Sequence, residues 1–147
     1  MAESAEAGPY VGPRPFERRD ESLFFGREPE SRELLSRVIA HQLVVFYAQS
    51  GAGKTSLLNA RLAPRLEDRG LEVLSGRVGG ETPVDIDAAA VPNPFSYGVL
   101  LSLVPQGSDP REMLQESLAG FFRGREHTTD GDGQPLPRVL VLSLIHI

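Results

Sequence analysis

The order of apolar and polar residues predicts a chain in which strands alternate with helices. Three short apolar runs, rich in β-branched or aromatic residues, indicate strands at residues 43–47, 71–78 and 138–142. Between these runs, apolar residues recur three and four residues apart, which is the spacing of a helix that buries one face. Such alternation is typical of an α/β fold built on a parallel sheet.

Prolines and one glycine set the expected limits of the helices. The predicted helices cover residues 29–41, 54–68, 95–104 and 110–122. Pro29 and Pro110 suit the first turn of a helix, whereas Pro64 should break or kink the second helix. Gly70 follows that helix and is a fitting residue for its C-terminal cap.

The stretch Ala48–Thr55, AQSGAGKT, joins the first predicted strand to a predicted helix. Gly51 and Gly53 allow backbone conformations in which successive N–H groups point at one anion. The Lys54 ammonium would reach the β- and γ-phosphates of a nucleotide, and the Thr55 hydroxyl would bind Mg²⁺. A strand, a small-residue turn that ends in Gly-Lys-Thr, and a helix together predict a phosphate-binding loop.

The predicted nucleotide-binding residues form one continuous stretch, within which Thr55 is also the predicted metal ligand. They are Ala48, Gln49, Ser50, Gly51, Ala52, Gly53, Lys54, Thr55 and Ser56. Ser56 has no individual role, and Ala48 stands where the usual pattern has a glycine. We expect this alanine to be tolerated if its φ stays negative. The alternative is a glycine-rich turn with an incidental lysine, which does not explain why Lys54 and Thr55 follow the last glycine directly.

The composition indicates one ordinary globular domain of 147 residues, 40% apolar and 24% charged. The net charge of −5 argues against a general nucleic-acid or anionic-membrane binder, although a local basic groove stays open. The absence of cysteine excludes disulfides and cysteine-based zinc sites. No apolar run has transmembrane length, and the N-terminus lacks the apolar core of a secretory signal. We therefore expect a cytoplasmic protein in which residues 1–8 are disordered.

Two stretches in register resemble the N-terminal part of a known family. PYVGPRPFERRDESLFFGREPESRELL, residues 9–35, is followed by a predicted strand and then by AQSGAGKTSLL, residues 48–58. This order is similar to that of the STAND class of signal-transducing ATPases, in particular novel STAND NTPase 1, over residues 9–142. The resemblance implies a three-layer P-loop NTPase core with a parallel sheet, truncated at its C-terminal side in this chain. It also implies ATP and Mg²⁺ as cofactors.

The resemblance further implies that Gly26-Arg27-Glu28 lies near the base or ribose of bound ATP, with Arg27 as the contact. The residues alone support a simpler interpretation, in which Phe24 and Phe25 pack, Gly26 turns the chain and Glu28 favours the helix start. Both interpretations stay open for Arg27, whereas packing is the better interpretation of the two phenylalanines.

Ser143 stands where the family has the aspartate of its second acidic motif, which completes the Mg²⁺ shell. The catalytic residues are therefore unknown from this sequence. The final residues, LSLIHI, are the translation of CTGTCTCTTATACACATC, the transposase end used in sequencing-library preparation. We therefore expect residues 143–147 to be a non-native tail. A central parallel strand needs neighbours on both edges, and a chain that stops at this strand lacks the later ones, so we expect it to be poorly soluble or partly folded by itself.

The function implied for the intact protein is Mg²⁺-dependent ATP binding with slow hydrolysis, used as a conformational switch. Its partners would be the nucleotide and C-terminal effector or repeat domains of the same protein, and ATP-dependent self-association is a further contact left open. One rival is another P-loop enzyme, such as a small-molecule kinase. A GTPase is disfavoured because no Asn-Lys-x-Asp motif occurs in these residues. The other rival is a scaffold that holds nucleotide without hydrolysing it.

Overall fold

A computed structural model describes residues 14–144, so the expectations for residues 1–8 and 145–147 lie outside the described residues. The described chain is a mixed α/β structure with a two-stranded parallel sheet, which confirms the predicted class in this coarser form. It divides into two compact units, residues 1–69 and residues 70–147. Among the helices of the described part, none combines the length and apolar character needed to cross a membrane.

The first unit begins with a 3₁₀ turn, Arg18–Leu23, and the helix α1, Glu28–Ala40. Pro29 lies in the first turn of α1, as predicted, where its missing N–H costs no helical hydrogen bond. The apolar stripe of α1 is only partly buried. Leu34 and Leu35 are buried, whereas Ile39 is 55% exposed.

The predicted helix at 54–68 is present as one continuous helical segment, which we call the loop helix. It consists of α2, Lys54–Leu57, a π-helical turn, Leu58–Leu62, and α3, Ala63–Glu67. Pro64 accounts for the π-helical turn, because a proline cannot donate the helical hydrogen bond and its ring displaces the preceding turn. The loop helix supplies most of the unit's buried side chains, namely Ser56, Leu57, Ala60, Leu62, Pro64 and Leu66.

The prediction of a buried strand at residues 43–47 is wrong for this structure. The segment has no regular secondary structure, and Leu43, Val45 and Tyr47 are 82%, 77% and 86% exposed. It runs beside α1, where the two enclose an open groove of about 390 Å³ lined in part by Glu33 and Leu34. High β-propensity produces a strand only when a second strand accepts and donates its hydrogen bonds, and in residues 14–144 the sheet contains only the two strands of the second unit.

The second unit is built on β1, Glu72–Val78, and β2, Arg138–Leu144, which run parallel with Glu72 opposite Arg138 and Val78 opposite Leu144. Both strands were predicted. The helix α4, Pro94–Leu103, packs against β1 and begins where the Asn93 side chain accepts hydrogen bonds from the N–H groups of Phe95 and Ser96. Gly98 permits this packing, because a Cβ there would lie 2.4 Å from the Gly79 carbonyl oxygen.

The prediction of one helix over 110–122 is wrong, because the segment forms two shorter elements. A 3₁₀ turn, Pro110–Met113, is separated from the helix α5, Leu118–Gly124. The Ser117 hydroxyl accepts a hydrogen bond from the Gly120 N–H at 2.9 Å, so the serine starts a new helix instead of continuing the old one. A further short 3₁₀ turn, Ala88–Ala90, interrupts the loop between β1 and α4.

A largely buried ion pair joins the first residues of the two strands. The Arg138 guanidinium donates to the Glu72 carboxylate and also to the carbonyl oxygens of Phe122 and Arg125, each at 3.3 Å. The Arg138 and Glu72 side chains are only 13% and 11% exposed. Burial alone raises the pKa of the Glu72 carboxyl, but hydrogen bonds from Arg138 and Thr128, with the charge of Arg138, outweigh it and hold the pKa below its usual value.

We expect Glu72→Gln to lower the free energy of unfolding of the second unit by about 3 kcal/mol, because it leaves the Arg138 charge buried without its counter-ion. Urea unfolding followed by the amide signals of β1 and β2 measures this change. Asp85→Asn is the matched control, because it breaks the ion pair of Asp85 with Arg111. Both of these side chains are 58% exposed, so the change in stability should be less than about 1 kcal/mol. Equal losses in the two variants would contradict the assignment.

Candidate functional site

The loop at residues 48–55 takes the backbone form that its glycines predict. Gly51 and Gly53 have φ of 78° and 77°, in the left-handed region that other residues rarely adopt. A Cβ built on either glycine meets nothing within 4 Å, so the protein leaves the space beside these residues open. The loop therefore combines a turn available only to glycine with room for a ligand against its backbone.

The loop helix begins directly at this open turn. Gly53 is its N-cap residue, and the first helical hydrogen bond runs from the Leu57 N–H to the Gly53 carbonyl at 2.9 Å. Lys54, Thr55 and Ser56 come before Leu57, so the helix offers their N–H groups no carbonyl acceptor one turn back. These donors, together with the positive end of the helix dipole, favour an anion at this position.

Lys54 folds back over the loop that precedes it. Its ammonium donates hydrogen bonds to the carbonyl oxygens of Ala48, at 2.6 Å, and Gln49, at 2.9 Å. Lys54 is the only lysine in the sequence. The cation predicted to hold phosphate therefore lies at the loop and closes it upon itself.

Thr55 and Ser56 follow Lys54 in the same helical turn but differ in their surroundings. Thr55 is exposed, as a metal-binding hydroxyl must be, whereas Ser56 is buried. The Ser56 hydroxyl accepts a hydrogen bond from the backbone N–H of Phe16 at 3.1 Å. The contact of Ser56 with nucleotide stays a prediction, and the structure gives its hydroxyl a different partner.

Arg27 lies against the loop. Its guanidinium donates to the Ala52 carbonyl at 3.1 Å and is 3.6 Å from the Glu30 carboxylate. The structure thus brings together the two stretches on which the family resemblance was based. A contact between Arg27 and the base or ribose stays a prediction. The packing interpretation holds for Phe24, which is half-buried, but not for Phe25, which is 73% exposed.

A segment that we call the arm, residues 14–24, is held in shape by Asp20. The Asp20 carboxylate accepts two hydrogen bonds from Arg14, at 2.6 and 3.1 Å, and one from the Glu17 N–H at 2.8 Å. These hydrogen bonds lower the pKa of Asp20 to about 2.

The C-terminal end of the arm is attached to the loop helix through Arg61. This guanidinium donates to the Phe24 carbonyl and to the Glu28 carboxylate, the latter at 3.2 Å, and the side chain is only 14% exposed. Within the arm, the rings of Phe16 and Phe24 pack with their centroids 5.2 Å apart. Both ends of the arm therefore contact the helix that starts at Lys54.

A model of the family described as Novel STAND NTPase 1 matches residues 9–142. The chain belongs to this family. Neither the curated proteins nor the solved structures gave a match. Membership of the Novel STAND NTPase 1 family confirms the resemblance drawn from residues 9–35 and 48–58, and it implies nucleotide binding.

The loop fits a Mg²⁺–nucleotide better than it fits a metal held by protein alone. Within residues 14–144, no three His, Asp or Glu side chains come together at a distance suited to a metal ion. An exposed Thr55 in the first turn of the loop helix suits a metal that takes its other ligands from phosphate oxygens and water. The residues present therefore agree with the nucleotide that the Novel STAND NTPase 1 family implies.

The loop residues could be predicted from the sequence because their spacing is itself the signal. Three contacts that shape the site had no such signal: Phe16 with Ser56, Arg27 with the Ala52 carbonyl, and Arg61 with the Phe24 carbonyl. Each joins residues far apart in the chain, and each includes a backbone group that every residue carries. No pattern of residue types marks such a pair.

We expect Gly51→Ala and Gly53→Ala to cost about 1 kcal/mol each, because alanine pays for a left-handed φ even where its Cβ has room. The exchange rate of the Leu57 amide, which bonds to the Gly53 carbonyl, reports this local opening. Gly124→Ala in α5 is the control: its Cβ also meets nothing, and its φ is not positive, so no loss should follow. An unchanged exchange rate of the Leu57 amide in both loop variants would contradict the predicted strain.

We expect Asp20 to make the arm acid-sensitive. Because its pKa falls from 3.8 to about 2 on folding, its carboxylate adds stability above pH 3.8. That contribution disappears as the pH falls through about 2. The stability difference between the wild type and Asp20→Asn, followed by the amide signals of residues 14–24 in urea, should therefore shrink between pH 4 and pH 2. A difference that is constant over this range would rule out the ion pair as its cause.

Proposed function

We propose that this chain is the nucleotide-binding part of an ATP-dependent conformational switch, built as the N-terminal portion of a three-layer P-loop NTPase core. The observation that carries the proposal is the loop itself. Two left-handed glycines leave an open space directly before Lys54 and Thr55, at the start of a helix. Membership of the Novel STAND NTPase 1 family supports the same function independently of that geometry.

The bound ligand would be Mg·ATP, held by residues 48–56. The loop N–H groups and the Lys54 ammonium would contact the phosphates, and the Thr55 hydroxyl would bind Mg²⁺, which neutralises phosphate charge. Guanine recognition through Asn-Lys-x-Asp needs a second lysine, and Lys54 is the only one in these 147 residues. The proposal names an adenine nucleotide because the resemblance to the STAND class of ATPases implies ATP.

Binding of a nucleotide would change the hydrogen-bond partners of the basic side chains at the loop. Lys54 would leave the carbonyl oxygens of Ala48 and Gln49 for the phosphates, and Arg27 stands at the Ala52 carbonyl where it can approach a ligand. A ligand shifts a conformational equilibrium by the difference of its affinities for the two states. This rearrangement of the loop is the proposed physical basis of the switch, which C-terminal domains of the intact protein would read.

Ser143 favours binding without turnover as a second candidate for the chain as given. The sequence of β2, RVLVLSL, carries no carboxylate that could complete a Mg²⁺ shell or activate water. Slow hydrolysis in the intact protein would need an acidic residue at that position. The chain as given would then act as a nucleotide-holding scaffold.

The single lysine allows a direct footprint of the site. Lys54 and the N-terminal amine are the only amines that acetic anhydride can acetylate, so the N-terminal amine serves as an internal reference. We expect saturating Mg·ATP to slow acetylation of Lys54 several-fold and to leave the N-terminal rate unchanged. Mass spectrometry measures both rates in one sample. Equal Lys54 rates with and without Mg·ATP would overturn the proposal.

A thermal shift provides the matching variant test. At one hundred times its Kd, Mg·ATP should stabilise the folded chain by about 2.7 kcal/mol, and Lys54→Ala should abolish that gain. Arg37→Ala is the control: it removes an exposed cation of α1 that pairs with Glu33, and it should keep the shift. Phosphate release would then separate a hydrolysing switch from a scaffold.

A further inference from the structure

Ser56 makes a contact that the phosphate loop does not need for binding a nucleotide. Its hydroxyl is turned away from solvent and accepts the backbone N–H of Phe16, which lies 40 positions earlier in the chain. The side chain is thus engaged with the arm, residues 14–24, while the preceding residue, Thr55, remains exposed. One helical turn carries both the proposed metal ligand and the attachment point of the arm.

The arm contacts the loop helix at two places, and a residue just beyond the arm contacts the loop itself. Phe16 is held by Ser56 at the start of the loop helix, and Phe24 is held by Arg61, five residues further along the same helix. Directly beyond the arm, Arg27 donates to the Ala52 carbonyl inside the loop. A displacement of the arm therefore changes the contacts of both the loop and the first turn of the helix.

We propose that Ser56 is a positioning residue that couples nucleotide binding to docking of the arm. This inference rests on the proposed function, because it assigns the regulation of that same site. In the docked state the hydrogen bond between Phe16 and Ser56 holds the first helical turn in place. The N–H groups and the Thr55 hydroxyl then keep the arrangement that Mg·ATP requires.

Thermodynamic linkage makes this coupling reciprocal. If docking of the arm strengthens nucleotide binding by a given factor, nucleotide must strengthen docking of the arm by the same factor. Couplings of this kind commonly amount to about 5- to 150-fold. If Ser56 only filled the core, its removal would lower stability, and nucleotide binding and docking of the arm would be independent of each other.

The wild-type protein offers a readout that needs no variant. The Phe16 amide is itself the donor to Ser56, so its hydrogen exchange reports release of the arm. We expect saturating Mg·ATP to slow exchange of this amide about fivefold or more. Exchange at Phe16 that is unchanged by bound Mg·ATP would overturn the inference while leaving the proposed function intact. Failure of Mg·ATP to bind, seen in the Lys54 footprint, would overturn both.

Three serine variants separate positioning from packing. Ser56→Ala should weaken Mg·ATP binding about fivefold and abolish the nucleotide-dependent slowing at Phe16, whereas Ser56→Thr retains a hydroxyl and should restore both. Ser102→Ala is the matched control, because the Ser102 hydroxyl likewise accepts a backbone N–H, that of Arg77 at 2.9 Å, in the second unit. It should reduce stability without altering either readout.

The outcomes divide cleanly. Loss of coupling in Ser56→Ala, with rescue by threonine and no effect at Ser102, supports a positioning role. Equal nucleotide affinity in the wild type and Ser56→Ala overturns it, as does an equal weakening in the Ser102 variant. If Ser56→Ala fails to fold, the wild-type exchange of Phe16 with and without Mg·ATP decides the question alone.

Discussion

The start of the loop helix must satisfy two opposing demands, and the rest of the first unit depends on how it does so. Its outer side has to stay open so that the N–H groups of the first turn can bind an anion. Gly51 and Gly53 allow this because they turn the preceding chain away from those groups. Its inner side has to be buried, because Leu57 and the later apolar residues of the helix supply most of the unit's core. Ser56, at the boundary, satisfies the burial demand with a hydroxyl that also holds the arm.

Arginine holds much of the irregular chain in place by donating to backbone carbonyl groups. All but one of the fifteen Lys and Arg residues are arginine. Several of them bind backbone carbonyl oxygens, those of Phe24 and Ala52 in loops and those of Leu103 and Phe122 near the ends of helices. The guanidinium group offers five donors in a fixed plane, so one side chain can bind a carboxylate and several carbonyls at once, as Arg138 does. These contacts give fixed positions to segments that have no helix or strand of their own.

Local signals in the sequence were enough for the loop and for most element boundaries. The glycines, Lys54 and Thr55 lie within a few residues of one another, and Pro29, Pro64 and Asn93 act on the turn in which they occur. Two predictions of secondary structure failed where the outcome depends on more distant parts of the chain or on a competing cap. Residues 43–47 needed a neighbouring strand, and the helix expected from Pro110 was ended by the competing cap at Ser117. The contact between Phe16 and Ser56 was beyond local signals altogether.

The bare segment at residues 43–47 also bears on how the protein behaves at high concentration. Leu43, Val45 and Tyr47 present exposed side chains on a segment without helix or strand, and no proline or glycine interrupts it. From Val38 to Gly53 the sequence contains no Asp, Glu, Lys or Arg, so no gatekeeping charge repels a second copy. Such a stretch is suited to steric-zipper stacking of the amyloid type. Its exposure therefore favours self-association of the protein at high concentration.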